Sequence, residues 1–417
     1  MEATTGPEPN RCTNGKDPID FASGAMFFVS VDIELPGPIP FVWERTFYST
    51  SERQGPLGYG WHHSYDQVLW PDPAAGTVAL RLGDGRLALF DAPGPANAYC
   101  AYYRARQLEL RPAPDGSDGY AVYSVRERRT YHFAPAPSQP GYYHLTALDD
   151  GYGHAIHLTY AAAGHLQYIV DSVGRRVDVR TDAAGRILAL DLPLPEDTPG
   201  TFAAVQYAYD EAGHMTSVTD AEGHTRRFRY AGDRMVQKSL ATGMTFYFEY
   251  DATGRCTRTW GDENYYNGRL EYAPGQTTVY TDDPAAVDVY YHAHGLVTTH
   301  IDALGHAQHW RYNPHLELEA QQDALGHTTS YAYDARGNCT SVSQPDGATA
   351  QTQYNQFDQP AQATDAAGQT RHWRYDAQGA LVERRDPLGA STRYRYDTQG
   401  QLVELRDALG HATRLRY

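Results

Sequence analysis

Apolar and polar residues alternate along most of this chain, with the period of two that a half-buried β-strand requires. The clearest examples place an aromatic or apolar residue two positions before a tyrosine: Leu158/Tyr160, Tyr207/Tyr209, Phe228/Tyr230, Phe248/Tyr250, Trp310/Tyr312, Tyr331/Tyr333, Trp373/Tyr375 and Tyr394/Tyr396. The residues between them are polar or basic, as Glu249 and Arg374 illustrate. No long segment follows the helical period of 3.6 residues. The pattern therefore predicts an all-β chain of strands about six to eight residues long.

A strict period of 21 residues is superimposed on this alternation. A tyrosine recurs at Tyr291, Tyr312, Tyr333, Tyr354, Tyr375, Tyr396 and Tyr417. A glycine keeps the same spacing at Gly305, Gly326, Gly347, Gly368, Gly389 and Gly410. Asp and Gly cluster within four positions around most of these glycines, as in DALGH from Asp302 to His306, and this is turn chemistry. A period of this length indicates stacked repeats, here about ten to twelve tandem β-hairpins in one antiparallel sheet.

The chain divides into three parts by its pattern. Residues 1–16 are expected to form a flexible lead-in, and residues 17–150 an N-terminal β domain that covers the first edge of the array. Residues 149–417 contain the tandem repeats, interrupted by a proline-rich insert at 191–201 and an irregular stretch at 260–272. The array stops within a unit at Tyr417, so we expect either a longer protein or another cover for the last strand. Two copies pairing through such open edges is a further expectation.

Composition narrows the classes of partner. The formal net charge of −16 argues against nucleic acid as the main partner. No segment approaches the ~20 apolar residues that span a bilayer, and no cleaved secretory leader is visible. Four cysteines in 417 residues do not resemble a disulfide scaffold, and Cys256 and Cys339 fall where other units have an apolar residue.

Three sets of residues invite a chemical interpretation. Histidines recur after the turn glycines, but several units replace them, so a structural role is favoured over a metal ladder. The recurring aspartates suit turns better than the denser calcium-binding rolls. His62 and His63 lie near no nucleophile motif, and we expect neither catalysis nor a cofactor or metal here.

The repeated unit, D-x-x-G-H followed by Y-D-x-x-G-x-L, resembles the YD repeat of RHS (rearrangement hot spot) proteins. The segment from Asp17 to Asp66, which includes DIELPGPIPFVWERTFYS, resembles the domain that precedes those repeats in bacterial members. Together the two resemblances cover roughly residues 17 to 417. They imply a curved, spiralling antiparallel strip that forms part of a hollow shell.

The resemblance also implies a function. Shells of this family enclose a C-terminal toxin domain, and many bacterial members are type VI secretion effectors that kill neighbouring cells. The expected partners are that toxin, needle-tip proteins of the secretion system and a chaperone. The protein is expected to be made in the cytoplasm and secreted without a cleaved leader. The chain lacks the family's needle-tip domain, its C-terminal cleavage region and a toxin domain, so its own role is expected to be structural.

One alternative of another class is left open by the residues. Aromatic side chains on a sheet stack against sugar rings, so the array suits a carbohydrate-binding or cell-surface adhesion module. The exposure of the aromatic side chains separates the two hypotheses. A shell would enclose them, whereas an adhesion module would present them to glycans.

Overall fold

The computed structural model describes residues 14–15, 18–194, 198–283 and 286–417. The lead-in predicted at 1–16 lies outside the described residues apart from 14 and 15, as do residues 195–197 of the proline-rich insert. Within the described residues, three short 3₁₀ helices, Pro95–Asn97, Arg104–Arg106 and Asp262–Asn264, accompany a chain of β-strands.

The first seven strands belong to separate small sheets. They are Asn14–Gly15 (β1), Ile19–Asp20 (β2), Phe27–Leu35 (β3), Phe41–Tyr48 (β4), Gln54–Gly55 (β5), Gly58–Tyr59 (β6) and Trp61–His63 (β7). β3, β4 and β7 form a three-stranded sheet, while β1 pairs with β2 and β5 with β6. We call residues 18–65 the N-terminal block.

The following strands begin the long sheet. They are Val68–Asp72 (β8), Thr77–Arg81 (β9), Leu87–Asp91 (β10), Ala101–Tyr103 (β11), Leu108–Pro112 (β12), Tyr120–Ser124 (β13), Arg129–Pro135 (β14), Tyr143–Asp149 (β15) and Ala155–Tyr160 (β16). β8, β9 and β10 form a meander whose first strand also pairs with β15, through Tyr143 opposite Leu69 and His144 opposite Val68.

The remaining strands continue the sheet in chain order. The first twelve are Leu166–Val170 (β17), Arg176–Thr181 (β18), Ile187–Pro193 (β19), Thr201–Tyr209 (β20), Met215–Asp220 (β21), Thr225–Ala231 (β22), Arg234–Ser239 (β23), Thr245–Tyr250 (β24), Cys256–Gly261 (β25), Gly268–Ala273 (β26), Gln276–Tyr280 (β27) and Val287–Ala293 (β28). The last twelve are Leu296–Ile301 (β29), Ala307–Tyr312 (β30), Leu318–Gln322 (β31), Thr328–Tyr333 (β32), Cys339–Ser343 (β33), Thr349–Tyr354 (β34), Pro360–Thr364 (β35), Thr370–Tyr375 (β36), Leu381–Arg385 (β37), Ser391–Tyr396 (β38), Leu402–Arg406 (β39) and Ala412–Arg414 (β40).

From β11 to β40 each strand pairs antiparallel with the next strand in the sequence. Sequential pairing follows from the tight turns, because a connection of a few residues can join only antiparallel neighbours. The predicted all-β strip of tandem hairpins is therefore confirmed. Residues 68–149, which were predicted to belong to the N-terminal domain, share this sheet with the repeats. The boundary between 17–150 and 149–417 stays a prediction.

The N-terminal block packs on one face of the strip between β17 and β28. Its largest side chains are fully buried there, including Trp43 and Trp61. The indole nitrogen of Trp43 donates to the Tyr207 hydroxyl at 2.9 Å, and that of Trp61 donates to the Tyr230 hydroxyl at 3.1 Å. The Ile187 amide also donates to the Pro56 carbonyl at 2.7 Å. The block therefore covers the strip as a second layer of the hydrophobic core.

We call the covered side the aromatic face, since it carries the repeat tyrosines and the residues two positions before them. Burial of this face changes along the strip. Tyr207, Phe228 and Phe248 are at most 4% exposed under the N-terminal block. Trp310 and Trp373, at the same repeat position in β30 and β36, are only half-buried. The second half of the strip thus carries the same apolar pattern without an equivalent cover among the described residues.

Candidate functional site

The repeated turn is built by an aspartate, a glycine and the residue after the glycine. In the turn from Asp302 to His306, the carboxylate of Asp302 accepts hydrogen bonds from the amides of Leu304 and His306, both at 2.9 Å. The amide of Gly305 donates to the Asp302 carbonyl at 2.9 Å. Gly305 has a φ of +84°, which lies in the left-handed region that favours glycine. The aspartate therefore satisfies the turn amides, and the glycine reverses the chain.

The left-handed glycine conformation recurs at each glycine of the 21-residue period, although the turn at Gly347 begins with Gln344 in place of an aspartate. The φ values are +84° at Gly305, +86° at Gly326, +85° at Gly347, +77° at Gly368, +87° at Gly389 and +89° at Gly410. The turn histidines complete this geometry, since the imidazole Nδ1 lies within hydrogen-bonding distance of the aspartate four residues earlier at His154, His214, His224, His306, His327 and His411. In the described part of the chain, no group of three or more His, Cys, Asp or Glu residues could hold a metal ion.

Replacing Gly326 tests the role of the turn glycine. A Cβ added at Gly326 meets no atom within 4 Å, so any cost of Gly326→Ala comes from the backbone conformation alone. We expect a loss of about 1 kcal/mol in the free energy of unfolding, measured by denaturant titration. Gly326→Asn is the matched control and should lose less, because asparagine tolerates positive φ better than alanine does. Equal losses in the two variants would contradict the assignment.

The repeat tyrosines form a ladder of hydroxyl hydrogen bonds across the strip. Each hydroxyl donates to a backbone carbonyl at the start of the preceding hairpin strand. The bonds are Tyr160 to Leu145 (2.9 Å), Tyr250 to Met235 (2.8 Å), Tyr333 to Leu318 (2.8 Å), Tyr354 to Cys339 (2.8 Å), Tyr375 to Pro360 (2.9 Å) and Tyr396 to Leu381 (3.0 Å). Every one of these bonds spans 15 residues, so the repeat fixes its geometry. The ladder joins each unit to the one before it.

Not all tyrosines of the period occupy this position. Tyr312 is not one of the exceptions, since it ends β30 as Tyr333 ends β32. Tyr291 is 41% exposed, because its hairpin extends to Ala293 and turns through His294 and Gly295. Tyr417 lies beyond the last strand and is 78% exposed. The period therefore locates the ladder but does not identify the units whose turns differ.

Removing one tyrosine hydroxyl of the ladder is expected to weaken the strip locally. Tyr354→Phe deletes the hydroxyl that satisfies the Cys339 carbonyl and should cost about 1 kcal/mol in unfolding free energy. Tyr394 is a suitable control, since its hydroxyl makes no hydrogen bond within the described residues. Tyr394→Phe should cost less than about 0.5 kcal/mol. Amide hydrogen exchange across β33 and β34 would show whether the loss is local to that hairpin.

A second set of contacts joins distant parts of the strip. The guanidinium of Arg104 pairs with Glu317 at 2.9 and 2.8 Å, although the two residues are 213 positions apart. The hydroxyl of Tyr102 donates to the Arg336 carbonyl at 2.8 Å. The Gln107 amide donates to Asn338 at 2.7 Å, and that bond is buried. These bonds hold the YD turns of the late repeats against the early strands, so the strip coils back on itself.

The glycines of these YD turns allow the close approach. An added Cβ at Gly337 would lie 2.9 Å from the Glu317 carboxylate. At Gly400 it would lie 2.9 Å from the Tyr152 ring. Sequence reasoning identified these glycines as turn residues but missed the contact.

His62 and His63 lie in the core of the N-terminal block. Nε2 of His62 is 3.1 Å from the Ser51 hydroxyl, and both residues are at most 2% exposed. The His62 Nδ1 has no hydrogen-bond partner among the described residues, whereas a catalytic triad holds that nitrogen with a carboxylate. Burial lowers the pKa of His62 to about 3 and that of His63 to about 4. This geometry holds two neutral imidazoles in a packed interior.

The cysteines occupy ordinary packing positions. Cys256 is fully buried, and Cys339 is half-buried at the corresponding position of a later unit. Burial raises the pKa of the Cys339 thiol, which disfavours the reactive thiolate. Cys100, Cys256 and Cys339 form no disulfide bond among the described residues. No helix in the described ranges is long and apolar enough to cross a membrane.

Three parts of the chain match known protein families. Residues 16–90 match a domain of unknown function, DUF6531. Residues 143–278 match the Teneurin YD-shell. Residues 312–349, 354–390 and 375–413 match the RHS Repeat. The family matches thus fall on the N-terminal block, on the strands that it covers and on the late repeats.

Individual curated relatives are also similar to this chain. The probable deoxyribonuclease RhsB of Dickeya dadantii is 28% identical over 302 residues, which are 72% of this chain and 20% of the relative. The double-stranded DNA deaminase toxin A of Burkholderia cenocepacia is 26% identical over 323 residues, 74% of this chain and 20% of that protein. The chain therefore spans about a fifth of the length of the curated relatives that it matches.

Solved structures give a weaker likeness. A crystal structure of TcdB2-TccC3-Cdc42 is 13% identical, covers 92% of this chain and 23% of that chain, and has a TM-score of 0.40. The assignment rests instead on the family matches and on the repeat geometry that accompanies them. The 21-residue unit, the aspartate-glycine turns and the tyrosine ladder coincide with the matched segments. This chain is an RHS/YD-repeat protein.

Proposed function

We propose that this strip is a section of a shell that encloses a toxin segment of the same protein. One observation carries the proposal: the aromatic face is sealed by the N-terminal block from β17 to β28 and is only half-buried beyond β29. Apolar side chains in a regular array favour a cover, since burial stabilises by about 25 cal/mol per Å² of apolar surface. One relative is named as a DNA deaminase toxin and another as a probable deoxyribonuclease, and this chain spans about a fifth of their length.

The chain itself is proposed to act as a container, with the toxic activity in the enclosed segment. Its repeated side chains hydrogen-bond to backbone groups of the sheet and its turns, as the tyrosine hydroxyls and turn aspartates do. The buried Ser51 and His62 pair is closed to solvent and has no orienting carboxylate. The names of the relatives refer to a deoxyribonuclease and a DNA deaminase. We place any such chemistry outside these 417 residues.

Proteolysis of the native gene product tests the enclosure. Trp310→Arg with Trp373→Arg places two charges on the aromatic face, and we expect protease to cut the downstream segment faster than in the wild type. Arg311→Ala with Arg374→Ala is the matched control on the opposite face, where the arginines are exposed. Equal cleavage rates in all three proteins would refute the enclosure. A native product of about 46.4 kDa, with no further segment, would refute it as well.

We further propose that the enclosed toxin acts between competing bacteria and is exported through a type VI secretion system. In this scheme the protein is made in the cytoplasm and leaves the cell without a cleaved leader. Co-culture with a sibling strain that lacks the neighbouring immunity gene provides the test. Killing should depend on this gene and on the secretion sheath. Killing that persists without the sheath would exclude this route, and the absence of killing would exclude the competitive role.

A further inference from the structure

The face of the strip opposite the aromatic face carries a basic patch on the strands β36 to β40. Neighbouring residues of a strand point to opposite faces, so Arg374 lies on the other side of the sheet from Trp373. Cross-strand pairing continues this face from one strand to the next. The patch consists of six arginines and two glutamates: Arg374, Glu383, Arg385, Arg393, Arg395, Glu404, Arg406 and Arg414.

Each glutamate of the basic patch is surrounded by three arginines. The carboxylate of Glu383 lies 3.3 Å from a guanidinium nitrogen of Arg374, 3.6 Å from Arg393 and 3.9 Å from Arg385. The arrangement recurs one repeat later around Glu404, at distances of 3.7, 3.1 and 3.1 Å from Arg395, Arg406 and Arg414. The same ratio of three arginines to one glutamate is therefore built twice.

The basic patch is positive in a chain that is strongly negative. Six guanidinium groups against two carboxylates leave a net charge of +4, whereas the whole chain carries −16. The hydrogen bond from Arg414 lowers the pKa of Glu404, which stays ionised at neutral pH. The arginine side chains are 46% to 74% exposed, while those of the glutamates are 13% and 14% exposed. The positive groups thus face the solvent above the carboxylates.

The surroundings of the basic patch limit the size of its partner. The equivalent positions of β34 and β35 are the neutral Gln353 and Gln362. The turns at the two edges begin with aspartates such as Asp376 and Asp386, whose carboxylates accept hydrogen bonds from their own turn amides. The strands between these turns have five or six residues, so the patch is about 20 Å wide. A lipid surface or a long nucleic acid would extend over the acidic edges and be repelled there.

The geometry of the arginines suits carboxylate side chains on a peptide. A guanidinium group presents a planar set of donors that can bind both oxygens of one carboxylate. Arg393 and Arg395 are two residues apart on β38, which separates them by about 7 Å. Alternate side chains of an extended peptide have the same spacing. Acidic residues at every second position of such a peptide would therefore match these two arginines.

We propose that the basic patch binds an acidic segment of a partner protein, whose aspartates or glutamates contact the exposed arginines. The proposal is independent of the enclosed toxin, because the patch lies on the face away from the aromatic side chains. Charge complementarity carries it: the patch is the reverse in sign of the chain around it and is no wider than a short peptide. Binding should weaken as the salt concentration rises, since ions screen exposed charges.

Fluorescence anisotropy of the full chain with a labelled oligoglutamate peptide tests the proposal. We expect saturable binding at low ionic strength. Arg393→Gln with Arg414→Gln should weaken it about tenfold, while each glutamate keeps two arginine partners. Arg176→Gln with Arg269→Gln is the matched control, since it changes the net charge equally at arginines that are 54% and 55% exposed outside the patch. The control should bind as the wild type does, and an equal loss there would overturn the proposal.

Glu383→Gln with Glu404→Gln keeps the test decisive if the arginine variant fails to fold. This variant removes the two negative charges of the basic patch and should tighten peptide binding, which a partly unfolded protein would not do. No saturable binding of the peptide to the wild type would overturn the proposal, as would unchanged affinity in both patch variants. Tighter binding of an oligothymidylate or of phosphatidylserine vesicles than of the peptide, at the same salt concentration, would overturn the acidic peptide as the partner.

Discussion

Acidification from pH 7 to pH 4 is expected to remove about 6 kcal/mol from the free energy of unfolding. Burial lowers the pKa of His62 to about 3 and that of His63 to about 4, whereas an unfolded histidine titrates near 6.5. Above pH 6.5 both states are neutral and pH has no effect through these groups. Below it, only the unfolded state binds protons, so stability is lost as pH falls towards the folded pKa values. Each histidine contributes about 3 kcal/mol by pH 4.

Other ionisable groups change the size of this effect but not its sign. Arg53 and Arg81 hold the pKa of Asp66 well below its usual range against the effect of burial, which adds a loss below about pH 4. Burial raises the pKa values of Asp20 and Glu44, and these two groups oppose the loss as they become protonated. A domain of ordinary stability has about 5 to 15 kcal/mol in total. We therefore expect unfolding near pH 4.

Denaturant titrations at pH 7, 6, 5 and 4 would measure this loss in the wild type and in two variants. His62→Gln keeps a polar atom near the Ser51 hydroxyl and removes one titrating group, so it should remove about half of the pH dependence. His309→Gln, which replaces an exposed histidine, is the control for the substitution itself. A wild-type stability that is flat between pH 7 and pH 4 would show that the two histidines are not buried as neutral groups.

Asp32→Asn is expected to cost about 3 to 5 kcal/mol, because it leaves a buried arginine without its counter-charge. Arg45 is 0% exposed and forms a bidentate pair with Asp32, whose side chain is 3% exposed. Asp32 also accepts a hydrogen bond from the Tyr207 hydroxyl at 2.7 Å. The network links β3 and β4 of the N-terminal block to β20 of the strip. Its loss should weaken the cover of the aromatic face.

A double variant separates the unpaired charge from lost packing. Asp32→Leu with Arg45→Met removes both charges and should recover much of the stability that Asp32→Asn loses. The surface pair of Arg311 and Glu319 provides the control, since its side chains are 69% and 46% exposed. Glu319→Gln should cost less than about 1 kcal/mol. Chemical denaturation at pH 7 measures all three variants. A double variant no more stable than Asp32→Asn would contradict the charge argument.

The strip could be predicted from the sequence because the residues that define each strand and turn are close together in the chain. Alternation sets the two faces of each strand, and an aspartate followed by a glycine three residues later sets most turns. Asp302 and Gly305 show how little context this requires, since every bond of the turn lies within five residues. The 21-residue period then repeats this arrangement of strands and turns. Tyr291 departs from it because its hairpin closes through a shorter turn, and spacing alone does not reveal that change.

Contacts between distant segments were not predictable in the same way. Alternation in β4 places Arg45 on the same face as Phe41 and Trp43, where it is fully buried, but alternation does not identify the group that neutralises its charge. Its partner Asp32 and the hydroxyl of Tyr207 come from other layers of the fold. The same limit applies to Arg104 and Glu317, which meet only because the strip coils back. The number of strands in one coil, which no local motif encodes, decides which residues meet.

The contact between Arg104 and Glu317 limits where the gene can gain or lose repeat units. The tyrosine ladder connects each hairpin only to the one before it, so whole 21-residue units could be gained or lost without disturbing the neighbouring turns. Between Arg104 and Glu317, however, the number of hairpins fixes which turn arrives opposite which strand. Recombination that adds or removes a unit inside this interval would put Arg104 opposite the wrong turn. Natural length variation should therefore be concentrated outside this interval and outside the one that the contact between Tyr152 and Gly400 closes.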